Sequence, residues 1–333
     1  MMTVRAMRER SRPHVRPVLP LLLLFVASAI PLRAETPGLS ADEVQRLRDE
    51  AVRLINADRT AASVPPVELD RNLSAMGDLF CDQALKHGLR GHYLTDGFSP
   101  FHRCAFWING TDYTGQNVCS TFGVNGAVWT YDQLAPKLRE YEQMMMAETP
   151  PNDRHRRNII NPWHTHVGIG LGWGPTGIRM THEFANRLVA VNEIAREHAI
   201  GSAPVFGGRI LDTKRFDLAG ITVFYDPTPT ELTPEEADRH DSYGLPEEYR
   251  FLRLLLPEGR FYTDTRSRGD IAMSEDGVFA CRLFFWNDAP GIYSVMVRLK
   301  ERAGDSDTQI PATYVCLRVF APPAEGETAT GLK

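Results

Sequence analysis

Glu148-Thr149-Pro150-Pro151-Asn152-Asp153-Arg154-His155-Arg156-Arg157-Asn158-Ile159-Ile160 is the stretch on which the reading of this chain turns. It closes a helix predicted over Leu134–Ala147. Thr149-Pro150-Pro151 stops that helix because proline has no N–H to continue the ladder, and Pro136 is tolerable within it only in the first turn. The stretch sets a carboxylate, Glu148, seven residues ahead of an imidazole, His155. Downstream, short strands are predicted at Val167–Leu171 and Ile178–Phe184, split by a glycine-rich turn at Gly172–Gly177. Upstream, Val44, Leu47, Val52, Leu54 and Ile55 recur at helical spacing in Ala41–Arg59 after the cap candidate Ser40. A second helix spans Leu69–Leu89, with Leu73, Met76, Phe80, Ala84 and Leu85 on one side. Helices interleaved with antiparallel strands point to an α+β layered unit.

Beyond Ile200 the period changes. Ile221–Tyr225, Val278–Trp286, Ile292–Lys300 and Thr313–Phe320 are rich in β-branched and aromatic residues, and Tyr293, Val295, Val297 and Leu299 alternate with Ser294, Arg298 and Lys300. That is the period of a half-buried strand, and it predicts an all-β sandwich over 205–321, joined to the first unit by Gly201-Ser202-Ala203-Pro204. The charged, proline-containing stretch Thr228–Tyr262 is expected on the surface, and residues 322–333 as a frayed tail.

The chain has 333 residues and a net charge of −5, but its first 34 must be set apart. Arg5, Arg8, Arg10, Arg12 and Arg16 precede an apolar run, Val18–Ile30, and then Leu32-Arg33-Ala34, the layout of a secretory signal. A membrane anchor is the alternative, although the run is short for a span. Cleavage before Glu35 leaves a mature chain near −10, because the leader carries six arginines and one glutamate. An acidic exported protein without a long basic cluster is not built to neutralise phosphates, so nucleic acid is excluded as a partner. No later segment is apolar enough to span a membrane. The expected location is secreted or periplasmic. An oxidising compartment suggests one disulfide per half: Cys281–Cys316 in the second, and a pair drawn from Cys81, Cys104 and Cys119 in the first.

Seven of the ten histidines lie between positions 87 and 182. They fall among ordered motifs: Leu54-Ile55-Asn56-x-x-Arg59, Pro65-Pro66-Val67-x-Leu69-Asp70-x-x-Leu73, Gly91-His92-Tyr93, Gly115-Gln116-Asn117-Val118, the Glu148–Ile160 stretch, and Val167-Gly168-Ile169-Gly170. In this order and spacing, over roughly residues 45–190, the chain resembles the CAP superfamily, the SCP-like fold of cysteine-rich secretory proteins, antigen 5 and plant pathogenesis-related proteins, and most of all its bacterial branch. The resemblance implies an α-β-α sandwich over 41–200 with an open cleft where two His and two acidic residues gather. His92 and His155 match the two histidines, and Glu148 is the candidate for one acid. The family's Gly-Glu-Asn reads Gly115-Gln116-Asn117 here. Gln116 cannot ionise, so it cannot be a general base. His92 and His155, with one carboxylate, make a possible divalent metal (zinc) site with an open position; a hydrogen-bonded polar cluster shaping the cleft is the competing reading. The second half more weakly resembles carboxypeptidase-regulatory-like domains of prealbumin type, with an immunoglobulin-like sandwich as the other description.

Other residues have plainer readings. His164 and His166 are expected at the surface, Glu183 as an exposed or capping carboxylate, and one or two of Met144, Met145 and Met146 in the core. There is no Gly-x-Ser-x-Gly elbow and no cysteine beside a recognisable catalytic histidine. The expected function is therefore binding, without a required cofactor: a cleft for a small apolar or amphipathic ligand, a lipid, a peptide or a cell-envelope component. A metal-assisted or His/Glu hydrolase and a non-catalytic interaction scaffold are the alternatives.

Overall fold

A computed structural model describes residues 38–123, 128–240, 242–264, 266–303 and 308–321. The leader and the tail lie outside these residues. The first layer set comprises α1 (Ala41–Ala61), β1 (Glu68–Leu69), α2 (Arg71–His87), α3 (Pro100–Ile108), β2 (Tyr113–Phe122), α4 (Tyr131–Met146), α5 (Arg154–Ile159), β3 (His166–Gly174) and β4 (Gly177–Ala185). The strands form one sheet in the order β1-β3-β4-β2. The helices expected from periodicity are present within a few residues of their expected ends. Helix α4 starts three residues earlier than expected, so Pro136 sits inside it rather than in its first turn. Helix α3 and strand β2 carried no strong period and were not expected.

Alternation along β3 makes the sandwich. Val167, Ile169, Leu171 and Trp173 point into a core shared with α1 and α4. Gly168, Gly170 and Gly172 point the other way, onto α2. A Cβ on Gly170 would stand 2.4 Å from the Gly77 carbonyl carbon, and one on Gly168 would stand 2.4 Å from that of Leu73. The helix therefore lies directly on the strand backbone, an approach open only to glycine.

The remaining strands are β5 (Val189–Val191), β6 (Glu197–Ala199), β7 (Val205–Ile210), β8 (Phe216–Pro227), β9 (Tyr249–Leu252), β10 (Ile271–Met273), β11 (Val278–Arg282), β12 (Gly291–Glu301), β13 (Ile310–Pro311) and β14 (Val315–Phe320), with α6 (Pro234–Arg239) between β8 and β9. They form two sheets, β10-β11-β7-β5 and β6-β14-β12-β8-β9, with β13 added to β12. Strands β5 and β6 precede Ile200 but pair with β7 and β14. Between the sheets lies a core containing Phe206, Phe279, Tyr293, Val295, Val297 and Leu299, the inward set of the β12 alternation.

The other face of β12 is not solvated. Ile292 and Met296 join Phe224, Tyr314 and Cys316 in a cluster with Leu73, Met76, Phe101, Cys104 and Tyr113 of the first layer set. Phe101 stacks on Tyr314 with ring centroids 3.9 Å apart. We propose that the units expected over 41–200 and 205–321 share this cluster, with β5 and β6, at the end of the first, packed into the sheets of the second.

The structure corrects two expectations. Thr228–Tyr262 is not wholly a surface excursion: the Leu232 N–H donates to the Thr95 carbonyl at 2.8 Å, Ala237 is buried, and Asp238 accepts from the Arg90 N–H at 2.6 Å. All five cysteines are free thiols. Cys281 faces the interior between the sheets, whereas Cys316 faces the opposite side of its sheet, against the Phe101 carbonyl. One disulfide cannot join side chains aimed into different cores.

Gly170→Ala is expected to cost about 3 kcal/mol through overpacking of backbone on backbone. Gly174→Ala, whose Cβ would meet nothing within 4 Å, is expected to change stability by less than about 0.5 kcal/mol. Urea midpoints compare the two.

Candidate functional site

Successive residues of β2 serve opposite faces of the sheet. Gln116 points toward the α2 side and Asn117 toward the α4 side, because side chains alternate across a strand. Each holds one of the two expected histidines, and both histidines line one open cavity of about 730 Å³ together with Gln116 and Glu148.

On the first side, His92 Nδ1 lies 2.8 Å from Gln116 Oε1, Gln116 Nε2 donates to Glu183 Oε1 at 2.9 Å, and the Tyr113 hydroxyl donates to Glu183 Oε2 at 2.8 Å. With its NH₂ committed to a carboxylate, Gln116 presents its carbonyl to His92. That assigns the proton to Nδ1 and leaves Nε2 as an acceptor. Burial holds the His92 ring down to about pKa 3, outweighing the Gln116 bond that favours the charged form, so the ring is neutral. Burial also pushes the Glu183 carboxyl up. Two buried arginines fix the loop that carries His92. Arg103 donates to the His92 carbonyl at 2.7 Å, and Arg179 donates to those of Leu89 and Gly91 at 2.7 and 2.5 Å.

On the second side, His155 Nδ1 lies 2.5 Å from Glu148 Oε1, and Glu148 Oε2 accepts from the His155 backbone N–H at 2.9 Å. Asn117 Nδ2 donates to the His155 carbonyl at 3.0 Å, and Asn117 Oδ1 accepts from Asn158 Nδ2 at 2.9 Å. Buried Arg59 anchors the far end of α5, donating to the carbonyls of Pro65, Ile159, Asn161 and His164 at 2.7–3.1 Å.

The second packing unit completes the cleft. The Tyr243 hydroxyl accepts from the Gln116 N–H and donates to the Gln116 carbonyl at 2.9 Å, and its ring meets His92 edge-on at 4.7 Å. Ser242, Tyr243 and Gly244 are part of the wall.

Among the described residues no group of three or more His, Cys, Asp or Glu side chains is placed to hold a metal ion. His92 Nδ1, Gln116 and Glu148 already have partners, which leaves two imidazole Nε2 atoms as donors where a bound ion needs three or four ligands.

No protein-family model matches the chain, and no curated protein matches it. Among solved structures it is similar to an extracellular protein containing an SCP domain from Bacillus anthracis str. Ames, at 14% identity over 45% of each chain with a TM-score of 0.31. It is similar to the CAP domain of enterococcal PrgA, at 15% identity over 45% of this chain and 64% of that one, TM-score 0.34. It is also similar to an outer surface protein from Borrelia burgdorferi, at 14% identity over 44% and 94% of the two chains, TM-score 0.29. The matched part spans less than two thirds of the first two proteins. Both of those carry the domain that the sequence motifs resemble. The α-β-α layering itself rests on the strand order and packing described above, not on these distant likenesses.

Glu183 is the main residue that sequence reasoning misplaced: it is fully buried, not exposed or capping, and stands directly behind Gln116. His164 is likewise buried, not superficial. It stacks on Phe184 with centroids 4.6 Å apart, its Nδ1 2.8 Å from Asn186 Oδ1. Met145 is buried and Met144 exposed, as one helix face requires. Tyr243, Arg103 and Arg179 gave no signal, since nothing local marks a distant tyrosine or arginine as part of a cleft.

Behind Asn117, on the α4 side, His182 is fully buried with its Nε2 3.5 Å from Glu142 Oε2, and Glu142 shares a hydrogen bond with Asp58. Burial, with Asp58 adding to it, pushes Glu142 from 4.5 up to about 8. A carboxyl raised in the folded state stabilises below its unfolded value, and that stability is lost as pH rises through the folded value. Burial holds the His92, His164 and His182 rings below 6.5, to about 3, 4 and 3, and these act in the opposite sense, their contribution being lost as pH falls below 6.5. Above pH 6.5 these histidine contributions are complete, whereas Glu142 titrates up to about 8 and burial raises Asp58 and Glu183 in the same sense. The urea midpoint of the native protein should fall between pH 6.5 and about 8, and that of Glu142→Gln should fall less.

Proposed function

We propose that this is an exported CAP-type binding protein whose cleft takes a polar ligand with an anionic end, such as a peptide carboxyl terminus or an acidic cell-envelope fragment. The wall carries this reading. Asn152, Arg154, Arg157, Asn158 and Asn161 surround His155; Arg154 supplies positive charge, and Arg157, whose Nε lies 3.1 Å from Asp153 Oδ1, shares its charge with that carboxylate. Such donors hold a carboxylate through charge-assisted hydrogen bonds. The purely apolar ligand among the sequence expectations suits this wall less well, because each of its polar groups would be left unpaired. Gln116 and Glu183 satisfy one another, so the His92 side shapes the cleft rather than reacting in it.

A second reading rests on the His155–Glu148 pair. Glu148 fixes Nδ1 and leaves Nε2 free, the arrangement of a general base oriented by a carboxylate. A hydrolase of this kind acts on water or on a substrate hydroxyl, because the hydroxyls that stand beside an imidazole, Thr114 at His164 and Thr165 at His166, do not line this cleft.

Thermal shift with short peptides distinguishes the two. Peptides with a free C-terminal carboxylate are expected to raise the midpoint, and their C-terminal amides are not. Arg154→Ala and Arg157→Ala should each weaken binding by about tenfold, the worth of one charge-assisted hydrogen bond. Turnover of peptide or ester substrates that disappears in His155→Ala would replace the binding reading with the hydrolase.

A further inference from the structure

Away from the cleft, a second cavity of about 400 Å³ opens on the sandwich beside the edge strand β9. Its wall combines aromatic rings (Phe251, Tyr262, Phe284, Trp286) with two arginines, Arg250 and Arg253. Phe284 is 61% exposed and Phe251 36%. Neighbouring rings left in water around a cavity are the mark of a binding surface rather than of a core.

The arginines stand against the rings, Arg250 4.7 Å from the centroid of Trp286 and Arg253 4.9 Å from that of Tyr262. Their partners differ. Arg253 donates to both oxygens of Asp264, at 2.8 and 2.7 Å. Arg250 is exposed and has no carboxylate partner among the described residues. The Trp286 ring is fixed by its Nε1–H, which donates to the Glu248 carboxylate. The charged residues of the wall are Arg250, Arg253 and Asp270, and with Arg253 held by Asp264, Arg250 is the cation left for a ligand.

We propose that this cavity binds an acidic saccharide. The C–H face of a pyranose ring would lie on the exposed Phe284 ring, its carboxylate on Arg250 where that side chain rests over Trp286, and its hydroxyls against Asp270 and Ser267, which also line the cavity. Aromatic rings alone would take any hydrocarbon, and arginine alone any anion. Both within one recess select a compact ring that is apolar on its face, polar at its rim and negatively charged. A densely anionic lipid surface fits less well, because Asp264 and Asp270 stand at the same rim and would repel it.

Isothermal titration calorimetry on the protein lacking only residues 1–34 tests this, with tetragalacturonate, neutral cellotetraose and phosphatidylglycerol vesicles as probes. Tetragalacturonate should bind saturably and more weakly as salt rises, with cellotetraose at least about tenfold weaker for want of the charge-assisted bond. Arg250→Ala and Phe284→Ser, both at exposed positions, should each lower the tetragalacturonate affinity by about tenfold with the melting midpoint unchanged. The proposal is overturned if tetragalacturonate does not bind, if cellotetraose binds as well, or if neither variant weakens binding. Vesicle binding lost in the two variants, with no binding of tetragalacturonate, would overturn it in favour of a lipid surface.

Discussion

The architecture depends on how closely α2 lies on β3. Three alternate glycines leave the strand without side chains on one face, so the helix backbone rests on the sheet. The opposite face of the same strand carries Val167, Ile169, Leu171 and Trp173 into the core beneath α1 and α4. One strand thus sets the spacing of both layers, thin on one side and thick on the other. The neighbouring strand β4 and the edge strand β2 inherit that division. It is why Gln116 and Asn117, adjacent in sequence, serve the two opposite walls of the cleft.

Within that frame the cleft is assembled by long side chains satisfied on backbone carbonyls. Arg59, Arg103 and Arg179 are fully buried, and a guanidinium carries five donors in a fixed fork, enough to pin several loop carbonyls at once. Each pins a loop that carries a histidine or its support. The polar chain Tyr113–Glu183–Gln116–His92 is satisfied internally as far as His92 Nδ1, so it rigidifies the site and leaves only the His92 Nε2 facing the cleft. Substitution of a carboxylate at 116 would face Glu183 with a like charge. The amide is therefore the residue that this interior requires.

Much of this was legible in the sequence. The helices were read from apolar period, the β12 alternation from period two, and His92, Gln116, Glu148 and His155 from ordered motifs; the structure brings those four to one cavity. What was not legible has a physical reason. Strand β2 runs along the sheet edge with a mixed pattern and has no clean period. Glu183 reads as a surface carboxylate unless its partners Gln116 and Tyr113, 67 and 70 residues away, are known. Tyr243 enters the cleft from a segment whose charge and prolines indicate solvent, and only the fold shows that its ring packs edge-on against His92. The disulfide expectation failed because compartment and strand character say nothing of which face a cysteine occupies.

His92, bonded through Nδ1 to Gln116 and held neutral by burial, is part of the cleft wall on which the binding reading rests. Long-range ¹H–¹⁵N NMR of the histidine rings, recorded as pH is lowered and again with added zinc, tests this most directly. His92 is expected to stay in the Nδ1–H tautomer well below the ordinary imidazole value, with ring nitrogen shifts unchanged by zinc. A ring that titrates near pH 6.5, or whose Nε2 signal moves with one equivalent of zinc, would contradict it.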